Sequence, residues 1–274
     1  MILTKYTLPA SINLRIALVT DLHESNPDDT LKLLKDAQPD IVCIAGDTFE
    51  RYGVGDDPRM KENSTRFQKL IYRSALQLND ILYRMMGSRR ANNPEYVFQF
   101  VREVGALKNQ DGENTRVFMS LGNHEWRLED RDREALQKAG IVLLDNEYIA
   151  VDDYLIGGLS TKVDEKMLDE FSEKSGYKIL LCHHPEYYEK YLRSREIDLI
   201  LSGHAHGGQI RVLGRGIFCP GQGLFPKYHH GVYDGRLVLS SGCTNTASIP
   251  RWGNPCEVVV IELNNITKYK KTNH

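Results

Sequence analysis

The sequence predicts an α/β fold, because apolar runs of strand length alternate with segments whose apolar residues recur at helical spacing. Helical spacing occurs in three segments, PDDTLKLLKDAQ, REALQKAG and PEYYEKYLRSRE. Beyond Gly207 the pattern changes to short β segments and turns, which suggests a second sheet rather than further crossovers. We predict a single domain over residues 1–274, a length that can bury a substantial core.

Five of the predicted strands end directly before polar clusters. In chain order they are LRIALVT before Asp21, IVCIAG before Asp47, RVFMSLG before Asn123, YKILLC before His183 and IDLILSG before His204. Short continuous apolar runs are typical of strands that are buried in a parallel sheet. Because ligand crevices in α/β sheets form outside the carboxyl ends of strands, the five polar clusters are expected to meet at one site.

One segment interrupts the alternation of strands and helices. From about residue 51 to about residue 115 there is no strand signal, and apolar residues from Phe67 to Met85 follow helical spacing, so a helical insertion is predicted. Three interpretations are open: a solvated helix face, a lid over an anionic substrate, or a patch that touches anionic lipid. The first part of the insertion is basic through Arg59, Lys61, Arg66, Lys69, Arg73, Arg84, Arg89 and Arg90.

Composition excludes several classes of protein. A formal net charge of -2 gives no global electrostatic reason to expect a specific nucleic-acid partner. The first residues lack the apolar core of a secretory signal, and no run reaches membrane-spanning length. The five cysteines are scattered without a C-x-x-C pair, as expected for reduced thiols. We therefore expect a cytoplasmic protein without a transmembrane segment, with a membrane-peripheral location as the alternative.

The polar clusters are rich in groups that bind metal ions. Together they offer two carboxylates, one amide oxygen and up to six imidazoles. A mixed nitrogen and oxygen set suits ions such as Mn, Fe, Zn or Co. The donors are too many for one ion, whereas two ions about 3.5 to 4 Å apart would use them and stabilise both oxygens of an in-line displacement at phosphorus. The clusters are D-L-H at 21–23, G-D at 46–47, G-N-H-E at 122–125, C-H-H-P at 182–185 and G-H-A-H at 203–206.

Taken singly, each cluster also has a structural interpretation. An aspartate at position 21 or 47 caps a helix as readily as it binds a metal, and a buried histidine is often simply hydrogen-bonded. In His204-Ala205-His206 an extended backbone would point both imidazoles the same way, so that each reaches a different ion. The following Gly207 and Gly208 would let the backbone approach the site without steric penalty.

The order D-x-H, G-D, G-N-H-[DE], H, G-H-x-H resembles the calcineurin-like metallophosphoesterases, from about Leu14 to Leu263. Within that superfamily HGGQIR, GQGLFPKY and the late EVVVIEL are similar to a bacterial branch. That branch includes YaeI-type and YkuE-type phosphodiesterases and LpxG-type UDP-2,3-diacylglucosamine pyrophosphatases. The resemblance implies a four-layer αββα sandwich of two mixed sheets, here with the helical insertion added.

The resemblance also implies a role for each polar residue. Two divalent or trivalent ions, Mn, Fe or Zn, are expected, and a hydroxide between them would attack phosphorus. His124 would not bind metal but would act as general acid or transition-state stabiliser beside the departing oxygen. His184 occupies a variable position and is either substrate-facing or structural. The implied ligands are Asp21, His23 and His206 for the first ion, Asn123, His183 and His204 for the second, and Asp47 as the bridge.

The implied activity is a dinuclear metal-dependent phosphohydrolase that acts on a small phosphodiester or a nucleotide-linked pyrophosphate. A phosphomonoesterase and a catalytically silent binding protein are the alternatives. Three departures from the family pattern stand out: Glu125 in place of the usual Asp, the absence of an arginine in SSGCTN at 240–245, and the length of the insertion. The insertion is expected to overhang the cleft, where it would influence substrate choice or contact an anionic membrane. The stretch GLFPKYHHG at 223–231 is either a substrate wall or an aromatic turn that packs on the sheet.

Overall fold

The computed structural model describes residues 1–51, 93–125, 127–219, 222–245 and 251–265. The basic first part of the predicted insertion, residues 52–92, lies outside the described residues, and only its last part, with one helix, is described. In the described parts of the chain, no helix combines the length and the apolar character that crossing a bilayer requires.

The first sheet has six strands and is built mainly from the amino-terminal half of the chain. Its spatial order is β1-β16-β2-β3-β4-β5, in which β2 to β5 are parallel. The last strand, β16, pairs parallel with β1 and antiparallel with β2. The strands are β1 (Ile2–Ala10), β2 (Leu14–Val19), β3 (Ile41–Ala45), β4 (Arg116–Ser120), β5 (Ile141–Leu144) and β16 (Glu257–Asn265).

The second sheet also has six strands and comes from the carboxyl-terminal half. Its order is β14-β15-β9-β8-β7-β6, parallel from β15 to β7 and antiparallel at both edges. The strands are β6 (Glu147–Val151), β7 (Tyr154–Gly158), β8 (Tyr177–Leu181), β9 (Leu199–Ser202), β14 (Gly231–Tyr233) and β15 (Leu237–Leu239).

Two short hairpins lie between β9 and β14. In each hairpin the strands are two residues long and antiparallel. They are formed by β10 (Arg211–Val212) with β11 (Arg215–Gly216), and by β12 (Phe218–Cys219) with β13 (Gly223–Leu224).

Four layers result from the way apolar faces are buried. Side chains from both sheets, such as Ile16 and Ile179, form one core between the sheets. The outer face of the first sheet packs against three helices, and the outer face of the second packs against a fourth. This four-layer αββα sandwich confirms the predicted fold class. The helices are α1 (Asp28–Ala37), α2 (Pro94–Val104), α3 (Asp130–Lys138) and α4 (Glu165–Glu173).

The helices begin where the sequence provides a start signal. In α2 the side chain of Asn93 accepts a hydrogen bond from the amide of Glu95, and Pro94 occupies the first helical position, where its missing N–H costs nothing. In α4 Asp164 accepts from the amides of Lys166 and Met167. Burial of Phe100 in α2 and Phe171 in α4 then fixes which helix face meets its sheet.

Two predictions about elements are wrong. PEYYEKYLRSRE forms only a single π-helical turn, Tyr188–Leu192, instead of a full helix. The guanidinium of Arg236 donates hydrogen bonds to carbonyl oxygens of Arg193, Arg195 and Ile197, which holds this part of the chain in a non-helical path. The segment EVVVIEL does not join a second sheet, because β16 pairs between β1 and β2 of the first sheet.

Candidate metal centre

The candidate site lies where the carboxyl ends of strands from both sheets converge. Strands β2, β3 and β4 contribute Asp21 to His23, Asp47 and Asn123, and strands β8 and β9 of the second sheet contribute the remaining ligands. The structure brings six of the seven predicted ligands into clusters of donor atoms that could hold a metal ion: Asp21, His23, Asp47, His183, His204 and His206. The site is therefore shared between the two sheets.

The first cluster consists of Asp21, His23 and His206, whose donor atoms lie within 4.8 Å of one another. Oδ1 of Asp21 is 3.8 Å from Nε2 of His23 and 3.7 Å from Nε2 of His206. These distances are too long for hydrogen bonds. The three donors thus surround a common point without contacting one another.

The second cluster consists of Asp47, His183 and His204. Oδ2 of Asp47 lies 3.1 Å from Nε2 of His183 and 3.8 Å from Nε2 of His23, which belongs to the first cluster. A single carboxylate oxygen therefore faces ligands of both clusters. This is the geometry expected of a bridging ligand.

Asn123, the seventh predicted ligand, lies between two residues that contact Asp47. The amide of His124 donates to Oδ1 of Asp47, and a Cβ added to Gly122 would lie 2.2 Å from the same oxygen. Glycine is thus required at position 122. Oδ1 of Asn123 is buried and has no hydrogen-bond partner.

Several ligands sit in backbone conformations that side chains rarely adopt. Positive φ angles occur at Asp21 (55°), His23 (50°), Asp47 (57°), His204 (65°) and His206 (44°). Such conformations cost free energy and persist where the surrounding structure holds them for function. Each of these residues follows a strand end, so the chain turns sharply and aims the donor back over the sheets.

The expectation of an extended backbone through His204-Ala205-His206 is wrong. His204 and His206 both have positive φ, and a short 3₁₀ turn runs from His206 to Gly208. The strand ends at Ser202 because the next residues turn to let the amide of His204 approach the Asp21 carboxylate, at 3.2 Å. The two imidazoles nevertheless reach different clusters, as the spacing predicts.

The two following glycines make close packing contacts within the fold. A Cβ on Gly207 would lie 2.2 Å from Oδ1 of Asn254, and one on Gly208 would lie 2.5 Å from the Cα of Gly216. These contacts give both glycines a packing role, and their role in letting the backbone approach the site stays a prediction. They let the chain after His206 pack against Asn254 and the β10–β11 hairpin.

The donor set fits bound metal ions. Nε2 of His23 and of His183 and Oδ1 of Asn123 are buried without hydrogen-bond partners, although buried polar atoms are nearly always paired. Nδ1 of His183 contacts the carbonyl oxygen of Ala45 at 2.8 Å and must donate to it. Nε2 of His183 then faces the Asp47 carboxylate at 3.1 Å, a pairing that favours positive charge at this point, from a proton or from a metal ion.

The electrostatics of the site also favour added positive charge. Burial would lower the pKa of His23, but the carboxylates of Asp21 and Glu50 raise it to about 10. Burial would likewise lower the pKa of His183, but Asp47 raises it to about 9. Metal ions compete with protons for such ligands. Burial lowers the pKa of His206 to about 4, which keeps its imidazole neutral and able to bind metal.

Glu50 is a functional residue that the sequence reasoning missed. Its Oε1 lies 2.7 Å from Nδ1 of His23, and its Oε2 lies 2.8 Å from Nδ1 of His124. Burial would raise the pKa of Glu50, but its contacts with His124 and His23 hold it well below the usual range. With both Nδ1 atoms bound to Glu50, the Nε2 atoms of the two rings face the site. The available signal was a carboxylate three residues beyond Asp47.

Glu125 keeps the role expected of an acidic residue after G-N-H. Its carboxylate accepts hydrogen bonds from the amides of Asp47 at 2.8 Å, Phe49 at 2.9 Å and Gly122 at 2.7 Å, and also from Thr48. Glu125 therefore joins the loop after β3 to the loop after β4. By accepting from the amide of Asp47, Glu125 also holds the backbone of the predicted bridging residue.

Arg251 places a guanidinium beside the stretch SSGCTN, where sequence reasoning noted a missing arginine. It donates to the carbonyl oxygens of Ser241 and Thr244, and Nη2 lies 3.3 Å from Nδ1 of His206. His184 lies next to the second cluster, with its ring centroid 4.5 Å from that of His204. A positive charge and an additional imidazole thus border the predicted ligands.

The aromatic stretch at 223–231 divides between the two interpretations. Tyr228 is buried, packs edge-on against Tyr188 and Tyr233, and donates its hydroxyl to Glu189. It is a packing residue. Phe225, in contrast, is 74% exposed.

Comparison with known proteins identifies the class. The family model for calcineurin-like phosphoesterases (Metallophos) matches residues 14–208, which include every predicted ligand. The chain belongs to the calcineurin-like phosphoesterase family. It is a metal-dependent phosphoesterase in class, and its clustered His and Asp residues are candidate ligands for divalent metal ions.

Individual relatives agree with that class. The chain is similar to the uncharacterised metallophosphoesterase YkoQ of Bacillus subtilis (strain 168), 26% identical over 84% of this chain and 70% of that protein. It is also 26% identical to an uncharacterised metallophosphoesterase of Aquifex aeolicus (strain VF5), over 75% of this chain and 80% of the relative. Among solved structures, the calcineurin-like phosphoesterase YfkN from Bacillus subtilis shares 13% identity at a TM-score of 0.41, covering 85% and 82% of the two chains.

Proposed function

We propose that the protein is a dinuclear metal-dependent phosphohydrolase that cleaves phosphodiester or pyrophosphate bonds. The observation that carries the proposal is Oδ2 of Asp47, which lies 3.1 Å from His183 of one cluster and 3.8 Å from His23 of the other. One carboxylate shared by two sets of ligands supports a pair of ions rather than a single ion.

The predicted ligands would be shared between two metal ions, as their positions in the structure suggest. Asp21, His23 and His206 would hold one ion, Asn123, His183 and His204 the other, and Asp47 would bridge. Imidazole, amide and carboxylate donors without thiolates suit Mn, Fe or Zn. When bound, such a pair lowers the pKa of water and neutralises charge on the phosphoryl group.

His124 would supply the proton for the leaving oxygen. Its Nδ1 contacts Glu50 at 2.8 Å, and its Nε2 lies 3.7 Å from Oδ2 of Asp47, at the edge of the metal cluster. The Glu50 carboxylate accepts a hydrogen bond from Nδ1 and fixes the orientation of the ring, so that Nε2 faces the substrate. The arrangement uses one carboxylate both to orient a metal ligand, His23, and to orient the proton donor.

The substrate is proposed to carry negative charge beyond the scissile phosphate. The guanidinium of Arg251 lies beside His206 and is placed to meet a second anionic group, such as the other phosphate of a pyrophosphate. This contact favours a nucleotide-linked pyrophosphate over a phosphomonoester. The phosphodiester remains the alternative, on the sequence resemblance to the YaeI, YkuE and LpxG branch.

The test is Mn²⁺-supported hydrolysis of bis(p-nitrophenyl) phosphate, with p-nitrophenyl phosphate and a nucleoside diphosphate sugar in parallel. We expect turnover of the diester or the pyrophosphate and its loss in Asp47→Asn. Asp36→Asn is the matched control, because that carboxylate is exposed and contacts only Lys32 in the described structure. Turnover of the monoester alone would contradict the proposed substrate class.

A binding protein without catalysis is the competing function, and metal content separates the two. The proposed enzyme should bind about two ions per chain, since a bridging carboxylate needs both. A chain that holds far less than one ion, and gains none on incubation with Mn²⁺ or Zn²⁺, would show that the cluster is not a metal centre.

A further inference from the structure

Large exposed hydrophobic side chains are concentrated in one part of the described structure. Of the nine that are exposed among the described residues, Met1 and Ile2 lie at the start of the chain and Val142 lies on β5. The other six lie on the two short hairpins and the turn beside them. This hairpin surface consists of Val212, Leu213, Phe218, Leu224, Phe225 and Trp252.

Backbone hydrogen bonds hold the segments that carry these residues next to one another. The amide of Arg211 donates to the carbonyl oxygen of Trp252 at 2.9 Å, which places the tryptophan beside β10. The amide of Phe225 donates to Ile217 at 2.8 Å, and Phe218 pairs with Leu224 across β12 and β13. Contiguous apolar surfaces of this kind are uncommon on monomeric proteins and mark interaction sites.

Two of the exposed side chains belong to residues with a positive φ, a backbone conformation that bulky residues rarely adopt. Leu213 has φ of 50° and is 100% exposed, and Phe225 has φ of 52°. Leu213 and Gly214 form the two-residue loop between β10 and β11, with positive φ at both positions, where Asn-Gly or Asp-Gly is the ordinary choice. A bulky apolar residue in this position gains no burial from the fold itself. Its side chain is therefore available for contact with a partner.

The hairpin segment lacks acidic residues and carries one exposed basic side chain, Arg215, that pairs with no carboxylate in the described structure. From residue 207 to residue 233 the sequence contains no Asp or Glu, but it contains Arg211, Arg215 and Lys227. Lys227 pairs with Glu189, and Arg211 donates to Ser241 and Asn254. Arg215 is exposed opposite Val212 in the hairpin, and in the described structure no carboxylate lies within ion-pair distance of it. Apolar tips flanked by basic side chains are complementary to an anionic lipid surface.

We propose that the hairpin surface docks the protein onto an anionic lipid bilayer. Leu213, Phe225 and Trp252 would enter the interfacial region, where tryptophan is favoured, and Arg215 would meet the headgroups. The amide of Ile217 donates to the carbonyl oxygen of Gly208, two residues beyond His206, so docking brings the metal centre close to the bilayer. The inference rests on the exposed surface alone and holds whether or not the proposed hydrolysis does.

The test is co-sedimentation of the full chain with vesicles of phosphatidylcholine alone or mixed with phosphatidylglycerol. We expect binding to the anionic vesicles, weakened about tenfold or more in the double variant Leu213→Asn/Phe225→Asn. Asparagine tolerates positive φ, so the turns should keep their shape. Val142→Thr removes an exposed apolar side chain elsewhere and should bind like the wild type.

Charge gives a second, independent readout. Raising salt from about 0.1 M to about 1 M shortens the screening length from about 10 Å to about 3 Å, so binding should weaken, and Arg215→Gln should lessen that salt dependence. Wild-type protein that fails to sediment with anionic vesicles, or a double variant that binds as tightly, would overturn the proposal. A third outcome would also overturn it: the wild type forms a dimer and binds no vesicles, and the double variant is a monomer. The surface would then join two copies of the chain.

Discussion

At the scale of single residues, the site depends on carboxylates that act through other groups. Glu50 contacts two imidazoles. Glu125 accepts hydrogen bonds from four backbone amides in the loops that carry Asp47 and Gly122. Neither is itself placed as a metal ligand. Both hold ligands in backbone and ring orientations that the chain would not adopt unaided.

His124 and Glu50 should respond differently to substitution. His124→Ala should lower kcat by roughly 10²-fold while metal affinity is kept, as for a general acid. Glu50→Gln should lower both kcat and metal affinity, because Glu50 also contacts His23. Steady-state kinetics with metal titration by calorimetry would measure the two effects. Loss of metal in His124→Ala would mean that His124 is a ligand.

The same pair offers a test of coupling. If Glu50 affects proton transfer through His124, the effects of His124→Ala and Glu50→Gln on kcat should not be independent. The fold-decrease in kcat of the double variant should then be far smaller than the product of the two single fold-decreases. Independent, multiplicative losses at saturating metal would show that Glu50 does not orient His124.

At the scale of elements, Glu257 joins the start of β16 to three other segments. Its carboxylate accepts from the amide of Ser241 at 2.7 Å and from Thr4, and lies 3.1 Å from Nε2 of His230. Burial would raise its pKa, but the hydrogen bond from His230 and these other contacts lower it to about 2. The carboxylate is therefore favoured in its ionised form by the folded state.

This contact should make stability depend on pH. Because the folded-state pKa is depressed, the stabilisation is complete above about pH 4.5 and is lost as pH falls toward 2. Glu257→Gln should lower the free energy of unfolding by roughly 2 kcal/mol at pH 7. Urea titrations at several pH values would measure this. The difference in the free energy of unfolding between the wild type and Glu257→Gln should become smaller as pH falls from about 4.5 toward 2.

Glu262 provides the matched control on the same strand. It pairs with Arg15 at 3.0 Å, but its side chain is 37% exposed. Glu262→Gln should cost about 1 kcal/mol or less, because exposed ion pairs are weak. Equal costs at the two positions would show that burial does not distinguish them.

Arg51 and Asn93, the described residues on either side of residues 52–92 of the predicted insertion, both contact Glu24 beside the candidate metal centre. The guanidinium of Arg51 pairs with the Glu24 carboxylate, and the amide of Asn93 donates to the Glu24 carbonyl oxygen at 3.0 Å. Glu24 directly follows His23 in the sequence. Replacing residues 52–92 with a short Gly-Ser linker should leave metal binding intact and change the ratio of kcat/KM between diester and nucleotide-linked substrates. An unchanged ratio would remove the insertion from substrate choice.

At the scale of the whole molecule, the metal centre links the two sheets. The first sheet carries Asp21, His23, Asp47 and Asn123, and the second carries His183, His204 and His206, counted by the strands that precede them. Ions bound there would stabilise the packing of one sheet on the other as well as the loops. Metal should therefore affect global stability.

Metal removal should lower the thermal midpoint of unfolding. Saturation at about 100 times Kd adds about 2.7 kcal/mol, which corresponds to about 5 to 10 °C for a chain of this size. Scanning calorimetry with Mn²⁺ or with chelator would measure the shift. The shift should be strongly reduced in Asp47→Asn and retained in Asp36→Asn, and an equal shift in both would place the stabilising ions elsewhere.

The sequence predicted the fold class and the strand ends that surround the candidate site, but not the place of every strand. Strand ends before Asp21, Asp47 and His183 were readable because buried strands are continuous apolar runs followed by polar residues. The position of β16 between β1 and β2 could not be predicted, because these pairings join residues that are more than two hundred positions apart in the sequence. Glu50 was missed because it lies three residues past a strand end, where only the folded loop brings its carboxylate to two imidazoles.

The position of β16 has a consequence for how the chain is made. In the described structure β1 pairs with β16 alone among the strands, with Ile2 opposite Glu257 and Ala10 opposite Asn265. During synthesis β1 therefore has no strand partner until β16 has been made. The second sheet differs, because its strands β6 to β9 follow one another in the chain and each pairs with the next. A chain that stops before residue 257 therefore leaves β1 without its strand partner and with an unpaired edge.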